Sequence, residues 1–170
     1  NRLDMRLVMV TKMTEPHEKL YFENYVKPKL TKKVELIGEI NLKTKAEYFA
    51  RAFCTLFPIQ WPEPFGLVMI ESMAAGTPVV AMGYGAVPEV IADKKTGFIV
   101  YSVEDMVQAV KQAANISPKT CRRYVEQRFS QQRMVLDYEK AYGKILEIEA
   151  KKRVKKAFRL RSAEGPSLTA

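Results

Sequence analysis

An α/β fold with a doubly wound, parallel sheet is what this sequence predicts, and three features predict it. Five short apolar runs rich in β-branched or aromatic residues recur along the chain, segments of helical period separate them, and the helix boundaries carry capping and stop signals. The runs are Leu7–Val10, Val34–Ile37, Cys54–Phe57, Pro78–Ala81 and Gly97–Val100. Near-continuous hydrophobicity over four residues suits parallel strands covered on both faces, and helices between them complete βαβ crossovers.

The helices follow in order. Glu15-Pro16-His17-Glu18 reads as a helix start. Thr44-Lys45-Ala46-Glu47 is a capping-box pattern, in which Thr accepts from an N-terminal amide and Glu reaches back. Ala46, Phe49, Ala50 and Phe53 then recur at spacings of three and four and form one apolar face. The stretch Leu67–Ala75 is built of good helix formers and stops at Gly76, with Pro78 beyond it. Pro88 with Glu89, Ser102 with Asp105, and Ser117 with Pro118 mark further starts. From Gln131 a helical pattern through Met134, Tyr138, Ala141, Tyr142 and Ile145 continues into a basic tail, and Gly165–Ala170 gives no element.

Length and composition bound the function. A chain of 170 residues, 47% hydrophobic and 28% charged, is an ordinary globular protein with room for one substantial core. We divide it into a Rossmann-like domain, 1–150, and a basic helical tail, 151–170. The net charge is +9. Residues 151–170 hold seven cations and one acid, so they contribute +6 and leave +3 for the first 150 residues. Basicity confined to a tail argues against a nucleic-acid-binding body. No apolar run approaches the roughly 18 residues of a membrane span, and the start lacks a signal-peptide pattern; a cytoplasmic location is expected. Cys54 and Cys121 stand outside any CxxC or Cys/His spacing, which favours reduced packing residues over a disulfide.

The informative stretch is Glu63-Pro64-Phe65-Gly66-Leu67-Val68-Met69-Ile70-Glu71, at a strand end, a loop and a helix opening. Ligands of open α/β sheets bind outside the carboxyl ends of strands. Gly66 admits close backbone approach, and the unpaired amides of a helix opening favour phosphate or sugar oxygens. Glu71 lies inside the helix, some 6 Å along the axis from Leu67 at ~1.5 Å per residue. Two acceptor-only carboxylates so separated suit two polyols on one ligand. The same spacing also fits a solvated loop Glu and a helix Glu in a surface ion pair.

The run from Glu63 to Ala81 resembles the glutamate-x7-glutamate signature of glycosyltransferase family 4 (glycosyl transferases group 1), the retaining enzymes of GT-B fold. The likeness covers residues 5–145 in order: Arg6–Val10, Val34-Glu35-Leu36-Ile37-Gly38-Glu39-Ile40, the signature, Gly85–Ile91, Thr96–Val100 and Phe129-Ser130. It implies the carboxy-terminal, donor-binding half of such an enzyme, transferring a hexose from a UDP- or GDP-linked sugar with retention, with no cofactor and no bound metal. It implies that Glu63, the catalytic-site carboxylate, holds donor-sugar hydroxyls and that Glu71 holds the ribose. Phe65, Gly66 and Leu67 would offer amides to sugar and diphosphate, and Glu39 and Ile40 would lie beside the base. The family's first strand, its Gly-Arg loop and following Lys, and the acceptor-binding amino-terminal domain would precede Asn1. The sheet is therefore expected to lack its first strand, with a gap between the Leu7–Val10 and Cys54–Phe57 strands. The chain alone is expected to be inactive, because charge stabilisation at the leaving group is often the largest catalytic term.

Other candidates read more plainly. His17 has no metal-spaced partner and is expected to be exposed. Gly83-Tyr84-Gly85 lacks the third glycine of a dinucleotide loop and reads as a strand-to-helix turn beside the donor pocket. Trp61 suits either a sugar-site wall or a packed loop anchor. Lys45 suits either a phosphate contact or, better, a solvated helix face. The tail, 151–161, suits a solvated helix end or a peripheral contact with anionic membrane. A nucleotide-sugar-binding module without transfer, or a phosphorylase or epimerase of the same fold, remains an alternative function.

Overall fold

The computed structural model describes residues 2–163, with side chains to residue 156. Each apolar run forms a strand: β1 Leu7–Val10, β2 Val34–Ile37, β3 Thr55–Phe57, β4 Val79–Met82 and β5 Gly97–Val100. β4 starts one residue later than expected because Pro78 has no N–H for the ladder; its carbonyl still accepts from Thr55 N at 2.9 Å. All pairings are parallel, in a sheet of order β1-β2 and a sheet of order β3-β4-β5. Among the described residues β1 and β3 are not paired with one another, as the expected gap requires.

The helices are α1 Pro16–Tyr21, α2 Leu42–Arg51, α3 Leu67–Ala74, α4 Val87–Val90, α5 Val103–Gln112, α6 Pro118–Arg128 and α7 Gln131–Ala163. α5 starts as its sequence predicts, with Ser102 Oγ accepting from Asp105 N at 3.0 Å. α2 does not. Its cap is Asn41, whose Oδ1 accepts from Thr44 N at 2.9 Å, so Thr44 lies inside the helix and Thr44–Glu47 is no capping box. The predicted α2 face is corrected too. Ala46, Ala50 and Phe53 are exposed, and the half-buried face is Thr44, Lys45, Tyr48 and Phe49. Two tethers turn that face inward: an ion pair from Lys45 to α3, and the Thr77 hydroxyl donating to the Phe49 carbonyl.

Covering of strands on both faces holds only in part. β4 and β5 are almost wholly buried, packed by α3 and α5, whereas β1 and β2 contain no buried residue. The core gathers on the second sheet, with Met69, Met73, Val79, Val80, Val87 and Cys121 at 0% exposure. A buried polar cluster fixes α3 within it. Ser72 Oγ donates to Thr77 O at 3.0 Å and lies 2.8 Å from Thr55 Oγ1, joining α3 to β3 and to the entry of β4. At the far end of α3, Arg122 donates to Ala75 O at 2.9 Å, a cation at the negative helix pole.

The described residues fall into two compact units that divide between Glu126 and Gln127, in the last turn of α6. The first unit carries both sheets. The second carries α7, a continuous helix through the basic segment, exposed from Gln131 to Lys156 and stitched by Arg133–Asp137 and Lys152–Glu149 pairs at 2.6 and 2.7 Å. No helix among the described residues is long and apolar enough to cross a membrane. The side chain of Phe158 and the segment Gly165–Ala170, for which the sequence makes predictions, lie outside what is described.

Candidate functional site

A cavity of about 380 Å³ opens beyond the carboxyl end of β3, lined by Phe57, Glu63, Phe65, Gly66, Leu67 and Val68. That volume is in the range of small-molecule sites. The chain reaches it from β3 through a loop anchored by buried Ile59, passes Pro62-Glu63-Pro64, and enters α3 at Gly66. Gly66 sits in the left-handed region, φ 77° and ψ 63°, where a side chain is strained. A Cβ there would also run into the methyl of Met69, which is fully buried. Its position is 3.5 Å from Glu63 Cγ, an ordinary van der Waals distance, so the stem of Glu63 lies beside the helix opening. Met69 N bonds Gly66 O at 3.0 Å, which leaves the amides of Leu67 and Val68 without a carbonyl inside the helix.

A second loop clamps the first. Gly83–Ala86 is a strand-to-helix turn between β4 and α4, and Ala86 N donates to Glu63 O at 2.8 Å. Gly85 has φ +56°, and a Cβ on it would overlap the main-chain N and O of Glu63. The clamp works on backbone alone. Among the described residues the Glu63 carboxylate has no hydrogen-bond or ion-pair partner.

Glu71 stands one turn further along α3 and does not line the cavity. Its Oε1 accepts from Lys45 Nζ of α2 at 2.6 Å, and the two side chains are 32% and 30% exposed. Glu71 is therefore in an ion pair, as one reading of the spacing allowed, but a half-buried one. Lys45 is not the solvated helix residue that its position in α2 favoured. Glu39 lies just past β2 and pairs with Lys12, just past β1, at 3.0 Å; both are exposed. Ile40 follows, half-buried. The structure thus gathers Glu63, Phe65, Gly66 and Leu67 at one cavity, sets Glu71 beside it on the same helix, and places Glu39 and Ile40 at the end of the other sheet.

Phe57 and Val68 were missed as lining residues, although the strand-end rule points to Phe57. Trp61 is 61% exposed and lines no part of this cavity, so it is not a packed loop anchor. His17 is exposed, and no group of His, Cys, Asp or Glu among the described residues is arranged to hold a metal ion. Cys54 and Cys121 are not bonded to each other, and burial pushes both thiols up to about 11.

Parallel strands and crossover helices, with a pocket and a carboxylate at a strand end beside a helix opening, define an α/β protein of Rossmann-like architecture, a fold that takes ligands at that end of the sheet. The chain belongs to the glycosyl transferases group 1 family, whose model matches residues 2–130. It is 32% identical over 112 residues to an uncharacterized 41.2 kDa protein in the cps region of Klebsiella pneumoniae, 62% of this chain and 31% of that one. It is 47% identical over 55 residues to D-inositol 3-phosphate glycosyltransferase of Streptomyces avermitilis, covering 32% of this chain and 12% of that one. Sucrose-phosphate synthase of Thermosynechococcus elongatus superposes with a TM-score of 0.71 at 26% identity, over 84% of this chain and 39% of that one. Anabaena HepE, solved with UDP, shares the fold with a TM-score of 0.64 at 18% identity, over 84% of this chain and 41% of that one. The chain spans at most about a third of these curated relatives' length.

Proposed function

We propose that this chain is the donor-binding half of a retaining hexosyltransferase of family 4, acting with an amino-terminal acceptor domain on a UDP- or GDP-linked sugar. The observation that carries the reading is the unengaged carboxylate of Glu63, held by its main chain at the mouth of a cavity whose other wall is the amide-bearing opening of α3. An acceptor-only group can bind hydroxyls and cannot bind phosphate, whereas the helix opening favours phosphate; the two together suit a sugar diphosphate. Glu63 takes the sugar hydroxyls, Phe65, Gly66 and Leu67 the sugar and diphosphate, Glu71 the ribose, and Glu39 and Ile40 flank the base. The reading is supported by HepE, whose structures hold UDP, UDP with glucose, and UDP-glucose, and by the named glycosyltransferase among the relatives.

Calorimetry with UDP, GDP, ADP and their glucose or mannose conjugates tests it. Glu71→Ala should weaken free nucleotide and nucleotide sugar alike, by roughly 10–150-fold, the equivalent of about 1.5–3 kcal/mol for hydrogen bonds to a charged group. Glu63→Ala should spare the free nucleotide and weaken the conjugate. The opposite pattern reverses the two roles, and binding of neither class by the unaltered chain overturns the proposal.

A further inference from the structure

We infer that Lys45 is a positioning residue for Glu71: it holds the carboxylate by one oxygen so that the other faces the vicinal diol of a nucleoside ribose. This rests on the reading of Glu71 as the ribose carboxylate. The contact is 2.6 Å, Nζ to Oε1, between side chains about one third exposed. No partner among the described residues engages Oε2. A bare Glu on a helix surface samples several rotamers, and a ligand must still them on arrival; a carboxylate already pinned binds a diol with less ordering left to do.

The pair is itself held from both sides. Asn41 caps α2 and fixes the turn that carries Lys45. The Thr77 hydroxyl ties α2 to the segment after α3 through Phe49 O, and Ser72, next to Glu71, is fully buried in its cluster with Thr55 and Thr77. The two helices therefore cannot drift as the bearers of a loose surface pair do. Charge supplies a second reason. A lone carboxylate beside a diphosphate-bearing ligand repels it, whereas a Lys45–Glu71 pair presents hydroxyl acceptors with no net charge.

The test compares UDP, GDP and ADP with their 2′-deoxy counterparts, by calorimetry on the whole chain. The quantity read is the ratio of ribo to deoxy affinity. The unaltered chain should prefer the ribonucleotide by about tenfold or more. Glu71→Gln should bring the ratio close to one. Lys45→Met and Lys45→Gln should each lower it at least severalfold, Lys45→Arg should retain most of it, and Lys45→Met with Glu71→Gln should lose no more than Glu71→Gln alone. If Glu71→Gln collapses the ratio while both neutral Lys45 variants keep it, or weaken ribo and deoxy equally, Lys45 is a structural partner only and the inference fails. If Glu71→Gln itself leaves the ratio intact, the ribose assignment fails first. Melting curves for each variant separate either result from unfolding.

Discussion

Replacing Gly85 by alanine drives a methyl group into the main chain of Glu63. The added carbon would overlap Glu63 N and O and stand 2.7 Å from the Pro62 carbonyl carbon. Carbon atoms rest at about 3.5 Å or more, so the two loops must part by roughly 0.8 Å. That movement breaks the 2.8 Å bond from Ala86 N to Glu63 O, at a cost of about 0.5–1.5 kcal/mol. Holding an alanine at φ +56° adds about 1–2 kcal/mol. A loss of about 2–3 kcal/mol is large against a typical total of roughly 5–15 kcal/mol, and corresponds to a melting temperature lower by about 5–10 °C. Differential scanning calorimetry reads the stability. Titration of nucleotide and nucleotide sugar reads the site: the conjugate should lose affinity because Glu63 has moved, and the free nucleotide should not. A variant that melts within about a degree of the unaltered chain and binds the conjugate normally would refute the clamp.

Gly143 lies in the middle of α7 with nothing within 4 Å of a Cβ. Gly143→Ala should stabilise that helix by up to about 1 kcal/mol, seen as higher helicity on heating. Burial holds the Cys54 and Cys121 thiols at about 11, so iodoacetamide at pH 8 should label the native chain roughly 100-fold more slowly than a thiol of pKa near 9; rapid native labelling would show that one of them is open to solvent. The exposed cations of 151–156 should bind vesicles rich in anionic lipid at low salt, each contributing about 1 kcal/mol near the surface. A chain ending at Ala150 should bind far less, and equal sedimentation of the two would reduce the tail to an ordinary helix end.

The strands were legible because an apolar run of four residues has few other uses, and the Glu63–Glu71 stretch because it joins a strand end to a helix opening. What α2 would do was not. Asn41-x-x-Thr44 and Thr44-x-x-Glu47 both offer a side-chain oxygen three residues ahead of an amide, and only the backbone path out of β2 selects the first. Which face of α2 turns inward is set by Glu71 and Thr77, 26 residues from Lys45 and 28 from Phe49, and no local period encodes that. The Lys12–Glu39 pair was within reach. Parallel register sets Val10 opposite Ile37, and each charged residue lies two places further on. The covering of strands was overread, because hydrophobicity marks a strand without saying how many of its neighbours are present.

The clamp on Glu63 passes through its peptide groups, with a proline on either side and a glycine pressed against it, and leaves the side chain uncommitted. Architecture and chemistry are thereby separable at this position. The loop keeps its path whatever side chain it bears, so Glu63→Gln, Glu63→Asp and Glu63→Ser differ in the reach and the polar groups they offer a ligand, while the main chain that carries them stays where it is. On the proposed reading, exchanging this one side chain should change which hydroxyls the site accepts, while the scaffold that aims it stays as it is.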